Sequence, residues 1–364
     1  MLSVKVGPGY YQCEQGILGT LEEKLLERHV RKVYVIHGER SFQAIKEYLP
    51  TFTQVDTLFE QYQGHCTDAE VERHRLAALT FDADCVIGIG GGTAMDLAKA
   101  CANALDKEAI LLPTLASTCA PWSTLSVIYN EKGEYIRYDS FPKGTGMVLI
   151  EPDVIAHSPT NYLRAGIGDT LAKWYEADVL TRDINNPRIP VQLALDAAKA
   201  CRDTLLEHGM AALDATQYKL VTDALIQVIE TNIVAGGLVG GLGDEYGRIA
   251  AAHSIHNGLT VFPEAKSRLH GEKVAYGILV QLGLEQNWNE VDKLIPFYQK
   301  LALPLGLQDI GLSYEENVLD ALVERTLAPG ESIHLMKGSF TSADLKIVIL
   351  KLEERIRSGE EIVK

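Results

Sequence analysis

Runs of basic residues are missing from this 364-residue chain. Its 49 acidic side chains outweigh 34 basic ones, giving a net charge of −15 that nucleic acid and anionic membranes would repel. Long apolar stretches are scarce too. The longest uncharged run, Ala109–Asn130, is broken by Pro113 and Pro121 and is rich in Ser and Thr, so no membrane span is expected. The N-terminus, MLSVKVGPGYYQ, lacks the charged-then-apolar layout of a secretory signal. Cysteine is sparse, and Cys13, Cys66, Cys85, Cys101, Cys119 and Cys201 include no C-x-x-C pair. In a chain of this size they read as reduced thiols, which implies a cytoplasmic location. Aromatics make up 7% and hydrophobic residues 46%, an ordinary globular mix with length for two domains.

Short β-branched runs alternate with helical patterns in the first part of the chain. Val33–Gly38, Cys85–Gly90, Ala109–Pro113, Leu125–Tyr129 and Met147–Glu151 read as strands, and Glu131–Gly133 as a hairpin turn. Ser41–Tyr48, Glu70–Leu79 and Thr93–Leu105 read as helices, so βαβ units and a parallel sheet are expected. After Pro159 only helical spacing recurs: Ala165–Leu180, Val191–Glu207, Gln217–Ala235, Gly247–Leu259, Lys273–Trp288, Val291–Leu301, Tyr314–Leu327 and Ser342–Ile356. The expected architecture is an α/β dinucleotide-binding domain over 1–158 and an all-α metal-binding, catalytic domain over 159–364. With no linker between them, the two should share a cleft.

Gly88-Ile-Gly90-Gly91-Gly92-Thr93 runs from a buried strand straight into a helix. Glycines there let the backbone approach a pyrophosphate, whose charge the helix N-terminus stabilises. The G-x-G-x-x-G fingerprint at the first strand is absent. Asp96 lies too far into that helix to cap it and serves either the loop or the cofactor. Glu39, just past Val33–Gly38, is placed to bind the adenosine ribose hydroxyls and to repel a 2′-phosphate, whereas Arg40 would pair with that phosphate. NAD is therefore favoured over NADP.

Asp169 opens one helix, His253 and His256 lie within another, and His270 precedes a third. Taken singly, an Asp at a helix start is a cap and a histidine among small residues is a core residue. Three of the ten histidines falling within 18 residues favour a metal site instead. An Asp/His/His set with an open position suits Zn²⁺ or Fe²⁺ acting as a Lewis acid on an alkoxide.

GIGGGTAMDLAKA, PTLASTCAPWSTLSVIYN, AGIGDTLAKWYEA, AAHSIHNGLT and HGEKVAYG together resemble the iron-containing alcohol dehydrogenase superfamily, glycerol dehydrogenase branch. The resemblance implies hydride transfer between a nicotinamide and a C–OH carbon, and a homo-oligomer. It implies metal ligation by Asp169, His253 and His270, with His256 lining the site and able to relay a proton. It places Gly90, Gly91, Gly92 and Thr93 on the pyrophosphate, and Thr114, Ser117, Ser123, Leu125 and Tyr129 around the cofactor. Iron-dependent members with four protein ligands carry a His where this chain has Lys173, so a three-ligand site is expected, with Zn²⁺ ahead of Fe²⁺.

Two departures bear on substrate. Glycerol dehydrogenases read STDAPCS where this chain reads Ser117-Thr-Cys119-Ala-Pro-Trp122-Ser, so a substrate-binding carboxylate is replaced by Cys119. Lys173, four residues after Asp169, shares its helix face and offers an ammonium to a substrate carboxylate. These features resemble a sub-branch, the hydroxycarboxylate dehydrogenase A type, which reduces 2-oxo acids to 2-hydroxy acids. Lys173 as a rim lysine and Cys119 as a small filler remain open. Competing readings are a glycerol or small-diol dehydrogenase, a dehydroquinate synthase-type cyclase using Lys266, Arg268 and Lys273 for phosphate, and a non-catalytic sensor. Glu331–His334 either approaches the cleft or packs a helix end.

Overall fold

The computed structural model describes residues 2–247 and 249–362. Among the described residues there are eight strands: β1 (Tyr10–Cys13), β2 (Lys32–His37), β3 (Asp56–Gln61), β4 (Cys85–Gly90), β5 (Glu108–Pro113), β6 (Leu125–Tyr129), β7 (Tyr135–Ser140) and β8 (Met147–Ile150). Six of them form a parallel sheet in the order β1-β8-β5-β4-β2-β3. The central β4 is buried at every residue, as its unbroken apolar sequence requires of a strand covered on both faces. β6 and β7 form a separate antiparallel hairpin.

The edge strands β1 and β3 escaped the sequence reading. YYQC and DTLFEQ are half-exposed and polar-rich, so they carry neither an alternating nor a continuous apolar signal. The helix Leu21–Glu27 also went unpredicted.

Among the described residues, every element after Ile150 is helical. Several helix boundaries differ from expectation, and Asp169, expected to open its helix, falls in the middle of Thr160–Thr181 because that helix starts at Thr160 rather than Ala165. Ile189–Tyr218 continues well past Glu207 and stops where Lys219 turns left-handed, at φ 56°. The next helix starts at Asp223 rather than Gln217, because Thr222 caps it by accepting from Leu225 N–H at 3.2 Å. The helical run Asp223–Gly247 is long and apolar enough to cross a membrane by length and composition. Glu230 interrupts the run, so no long uncharged stretch marks it in the sequence. Half of its apolar window is buried inside the protein, and it packs on Ile189–Tyr218.

The chain leaves β2 toward β3 and leaves β4 toward β5, in opposite directions across the sheet. That reversal opens a crevice between the carboxyl ends of β2 and β4, the place where α/β sheets bind ligands.

Candidate active site

Both glycine-rich and acidic segments lie at this crevice. Gly90 takes φ +151°, and a Cβ there would sit 2.8 Å from that of Ala94, so only glycine fits the turn. Gly91 then provides the uncapped start of helix Gly92–Ala104, leaving the first backbone N–H groups open toward an anion. Ser41 ties the two strand ends together, bonding the Gly38 carbonyl at 3.0 Å and the Ile89 carbonyl at 3.2 Å. Glu39 is exposed in the first turn of the helix after β2, with Arg40 exposed beside it. Thr114 N–H donates to the Gly90 carbonyl at 2.9 Å, which brings the segment after β5 alongside the glycine turn.

Residues 114–125 then cross to the helical half. Asn232 Nδ2 donates to the Ala116 carbonyl at 2.8 Å. Any side chain at Gly166 would collide with that carbonyl and with Ser117. Lys99 organises the rest of the segment. Its buried ammonium lies 3.0 Å from Asp96, donates to the Ala120 carbonyl at 2.7 Å and to the Ser123 carbonyl at 3.1 Å, and also meets the Leu125 carbonyl. Asp96 accepts from Val127 N–H at 3.1 Å, which ties the helix after the glycine turn to β6. Ser123 Oγ, 3.3 Å from Lys99, belongs to the same knot. Tyr129 ends β6 with its N–H on the Cys66 carbonyl at 2.8 Å, and burial lifts its phenol to about 12. Lys99 carries no role in the sequence motifs, although its i+3 spacing from Asp96 is visible there.

The metal-type residues come from three helices. Asp169 lies in Thr160–Thr181, His253 in Ala251–Leu259, and His270 starts His270–Leu284. Glycine sets how closely the first and third helices approach: a Cβ at Gly271 would overlap the Ala165 carbonyl, and one at Gly168 the Gly271 carbonyl. Asp169 Oδ1 is consequently 3.6 Å from His253 Nε2 and 3.2 Å from His270 Nε2. The three donor atoms all lie within 4.8 Å of one another. Asp169 Oδ1 is buried without a hydrogen-bond partner, an arrangement that suits a shared cation. His270 is 45% exposed, so the cluster is open on one side.

Two further groups orient these rings, and neither was assigned a role from the sequence. Glu176, seven residues after Asp169 on the same helix face, is buried. It accepts from Ala250 N–H at 2.7 Å, His253 N–H at 3.1 Å and His253 Nδ1 at 2.7 Å. His253 therefore keeps its proton on Nδ1 and turns Nε2 toward Asp169, a carboxylate–histidine pair of the kind that supports metal ligands. His256 Nε2 lies 3.0 Å from His270 Nδ1. Burial, reinforced by the neighbouring His270 and Lys273 charges, holds the His256 imidazole well below its ordinary pKa and hence neutral.

Lys173 lies on the Asp169 helix and, among the described residues, makes no hydrogen bond or ion pair. Burial, the largest single influence, would lower its pKa, but Asp169 together with Cys119, Glu176 and Cys201 outweighs it, so Lys173 stays an ammonium. Cys119 adjoins the same charges; burial pushes its thiol up against the opposing pull of Lys173, which disfavours a nucleophilic thiolate. Trp122 is a peg: its Nε1 donates to the Val6 carbonyl at 2.7 Å, and its ring meets Tyr11 edge-on at 5.4 Å. Of the cations flanking His270, Arg268 lies 3.7 Å from Glu272, as does Arg164 at 3.8 Å, so both are partly neutralised.

Residues 8–150 match the family model for iron-containing alcohol dehydrogenase. The chain is 39% identical to hydroxycarboxylate dehydrogenase A of Escherichia coli strain K12, covering 97% of this chain and 98% of that one. It is 36% identical to glycerol dehydrogenase of Thermotoga maritima, with 95% of each chain covered. The structure of a probable glycerol dehydrogenase from Sinorhizobium meliloti 1021 superposes with a TM-score of 0.85 at 32% identity, over 98% of this chain and 99% of that one.

Proposed function

Because the chain belongs to the iron-containing alcohol dehydrogenase family, in its glycerol dehydrogenase-like branch, and is a metal-dependent oxidoreductase of alcohols, we propose that it interconverts 2-oxo acids and 2-hydroxycarboxylic acids. The observation that carries this reading is the ammonium of Lys173 beside Asp169, free of any partner among the described residues, where Cys119 supplies no competing carboxylate. Asp169, His253 and His270 would hold the metal, and the crevice at Gly90–Thr93 the dinucleotide. When bound, the metal supplies Lewis acidity at the substrate oxygen and the nicotinamide exchanges a hydride.

The chain's own residues do the remaining work. Lys173 orients the substrate by pairing with its carboxylate, which sets the oxygen on C2 toward the Asp169 side of the cleft. Glu176 holds the His253 proton on Nδ1, and His256 accepts from the His270 Nδ1–H. Gly90, Gly91, Gly92 and Thr93 offer backbone N–H groups to the pyrophosphate, with Thr114, Ser117, Ser123, Leu125 and Tyr129 along the path to the cleft. Glu39 favours NAD, since a 2′-phosphate beside its carboxylate would be repelled. Two imidazoles and one carboxylate, with Lys173 at the fourth-ligand position, favour Zn²⁺ over Fe²⁺. A boundary near residue 158, a homo-oligomer and a cytoplasmic location, where six unpaired thiols stay reduced, complete the proposal.

The test is oxidation of NADH and NADPH by metal-loaded protein offered 2-oxobutyrate, 2-oxoglutarate and dihydroxyacetone in parallel. Oxo acids should turn over faster with NADH, and Lys173→Met should raise their KM at least tenfold while leaving dihydroxyacetone unaffected. Fast dihydroxyacetone turnover with inert oxo acids would support the polyol reading that the glycerol dehydrogenase relatives favour.

A further inference from the structure

We propose that Asn257 and Glu331 are positioning residues, which select through His256 the tautomer in which His270 presents a bare nitrogen to the Asp169 cluster. This rests on the reading of His270 as a metal ligand, and goes beyond it to what makes the ring competent. Each link of the chain has only one possible polarity. The Glu331 carboxylate can only accept, so Asn257 turns its Nδ2 toward Glu331 Oε2, at 2.9 Å. The Asn257 Oδ1 that remains can also only accept, and it faces His256 Nδ1 at 3.1 Å. His256 must therefore carry its single proton on Nδ1, which leaves Nε2 as a lone pair. That lone pair takes the proton of His270 Nδ1, 3.0 Å away. With that proton on Nδ1, the tautomer of His270 able to ligate is the one whose bare Nε2 faces Asp169 Oδ1, 3.2 Å away, where a shared cation would sit between two electron-rich atoms.

The distal end of this relay is built to stay in place. Arg325 pairs with the other oxygen of Glu331, which fixes how the carboxylate is turned toward Asn257. The adjacent Ser332 Oγ donates to the Ala250 carbonyl at 2.6 Å, and Ile333 N–H to Ser254 Oγ at 2.9 Å. These bonds pin residues 331–333 onto the helix that carries His253, His256 and Asn257. The two histidine ligands are thus oriented by different means. His253 meets its carboxylate directly, whereas His270 is reached through two neutral intermediates from a carboxylate 61 positions further along the chain.

The experiment measures Zn²⁺ affinity by chelator competition, and the visible absorption of the Co²⁺-loaded protein, on the full chain. Asn257→Leu and Glu331→Leu should each weaken Zn²⁺ about 10- to 100-fold and alter the Co²⁺ bands, since loss of such outer partners has effects of that order. Glu331→Gln keeps an accepting oxygen for Asn257, while the half-exposed Arg325 turns to water, so it should stay within about threefold of wild type. If Asn257→Leu fails to fold, Glu331→Leu, altered on a peripheral turn, carries the test alone. Wild-type protein that binds both ions, with folded Leu variants unchanged in affinity and spectrum, would overturn the relay. Wild-type protein that binds neither ion would overturn the metal reading, and the relay with it.

Discussion

Replacing Glu176 by Gln changes one atom, yet it should cripple the metal site. The native carboxylate is buried and accepts three hydrogen bonds, two from the backbone N–H groups of Ala250 and His253 and one from His253 Nδ1. The single oxygen of the amide must stay on the two backbone donors, because turning it away would set an NH₂ against both of them. The NH₂ then faces His253 Nδ1, which must become an acceptor, and the ring proton moves to Nε2, the atom aimed at Asp169. Outer-shell losses of this kind cost about 10- to 100-fold in metal affinity, or roughly 1.4 to 2.7 kcal/mol. Zn²⁺ competition should be read at pH 9 as well as pH 7. Burial depresses the His253 imidazole, but the Glu176 and Asp169 carboxylates together outweigh this and lift it to about 9, so below that pH protons compete with the cation in wild type. The gap between wild type and Glu176→Gln should therefore be widest at pH 9 and narrow toward pH 7. Equal affinities at pH 9, with the variant folded, would refute the tautomer argument.

Gly271→Ala forces a methyl onto the Ala165 carbonyl and pries apart the helices bearing Asp169 and His270. It should lose about 1–3 kcal/mol in urea unfolding together with metal stoichiometry, and a fully loaded variant would contradict this. Lys99→Met strands the buried Asp96 carboxylate and should cost about 3–5 kcal/mol; adding Asp96→Asn should recover part of it, and a single variant as stable as wild type would refute the knot. His74 is fully buried between Tyr34 and Glu70, and burial, with the nearby Arg73 charge, lowers its imidazole from 6.5 to about 4. Between those values the unfolded chain binds a proton that the folded one does not. Stability held above pH 6.5 is thus lost on acidification toward pH 4, by about 3 kcal/mol, and urea midpoints of His74→Asn should lack that slope.

The composition and local patterning of the chain were enough for the architecture of its centre. β4 is legible because a strand covered on both faces must be apolar throughout, and Gly90–Gly92 because a strand-to-helix turn open to an anion has few other solutions. Asp169 and the histidine cluster His253, His256 and His270 were legible because their chemistry is unusual among small apolar neighbours, whereas the choice of His253 and His270 over His256 came from the family resemblance. The edge strands were not, since a strand paired on one side and half in water has no periodicity of its own. Nor did local sequence reveal what holds the site in register. Lys99 reaches carbonyls 21 to 26 residues away, Glu176 meets a ring 77 residues on, and Glu331 acts on Asn257 from 74 residues beyond it. Sequence fixes residue type and near spacing, which decide helix, strand and turn. Hydrogen-bond polarity across such separations exists only once the helices cross, at distances set by Gly168 and Gly271, and the tertiary structure alone decides it.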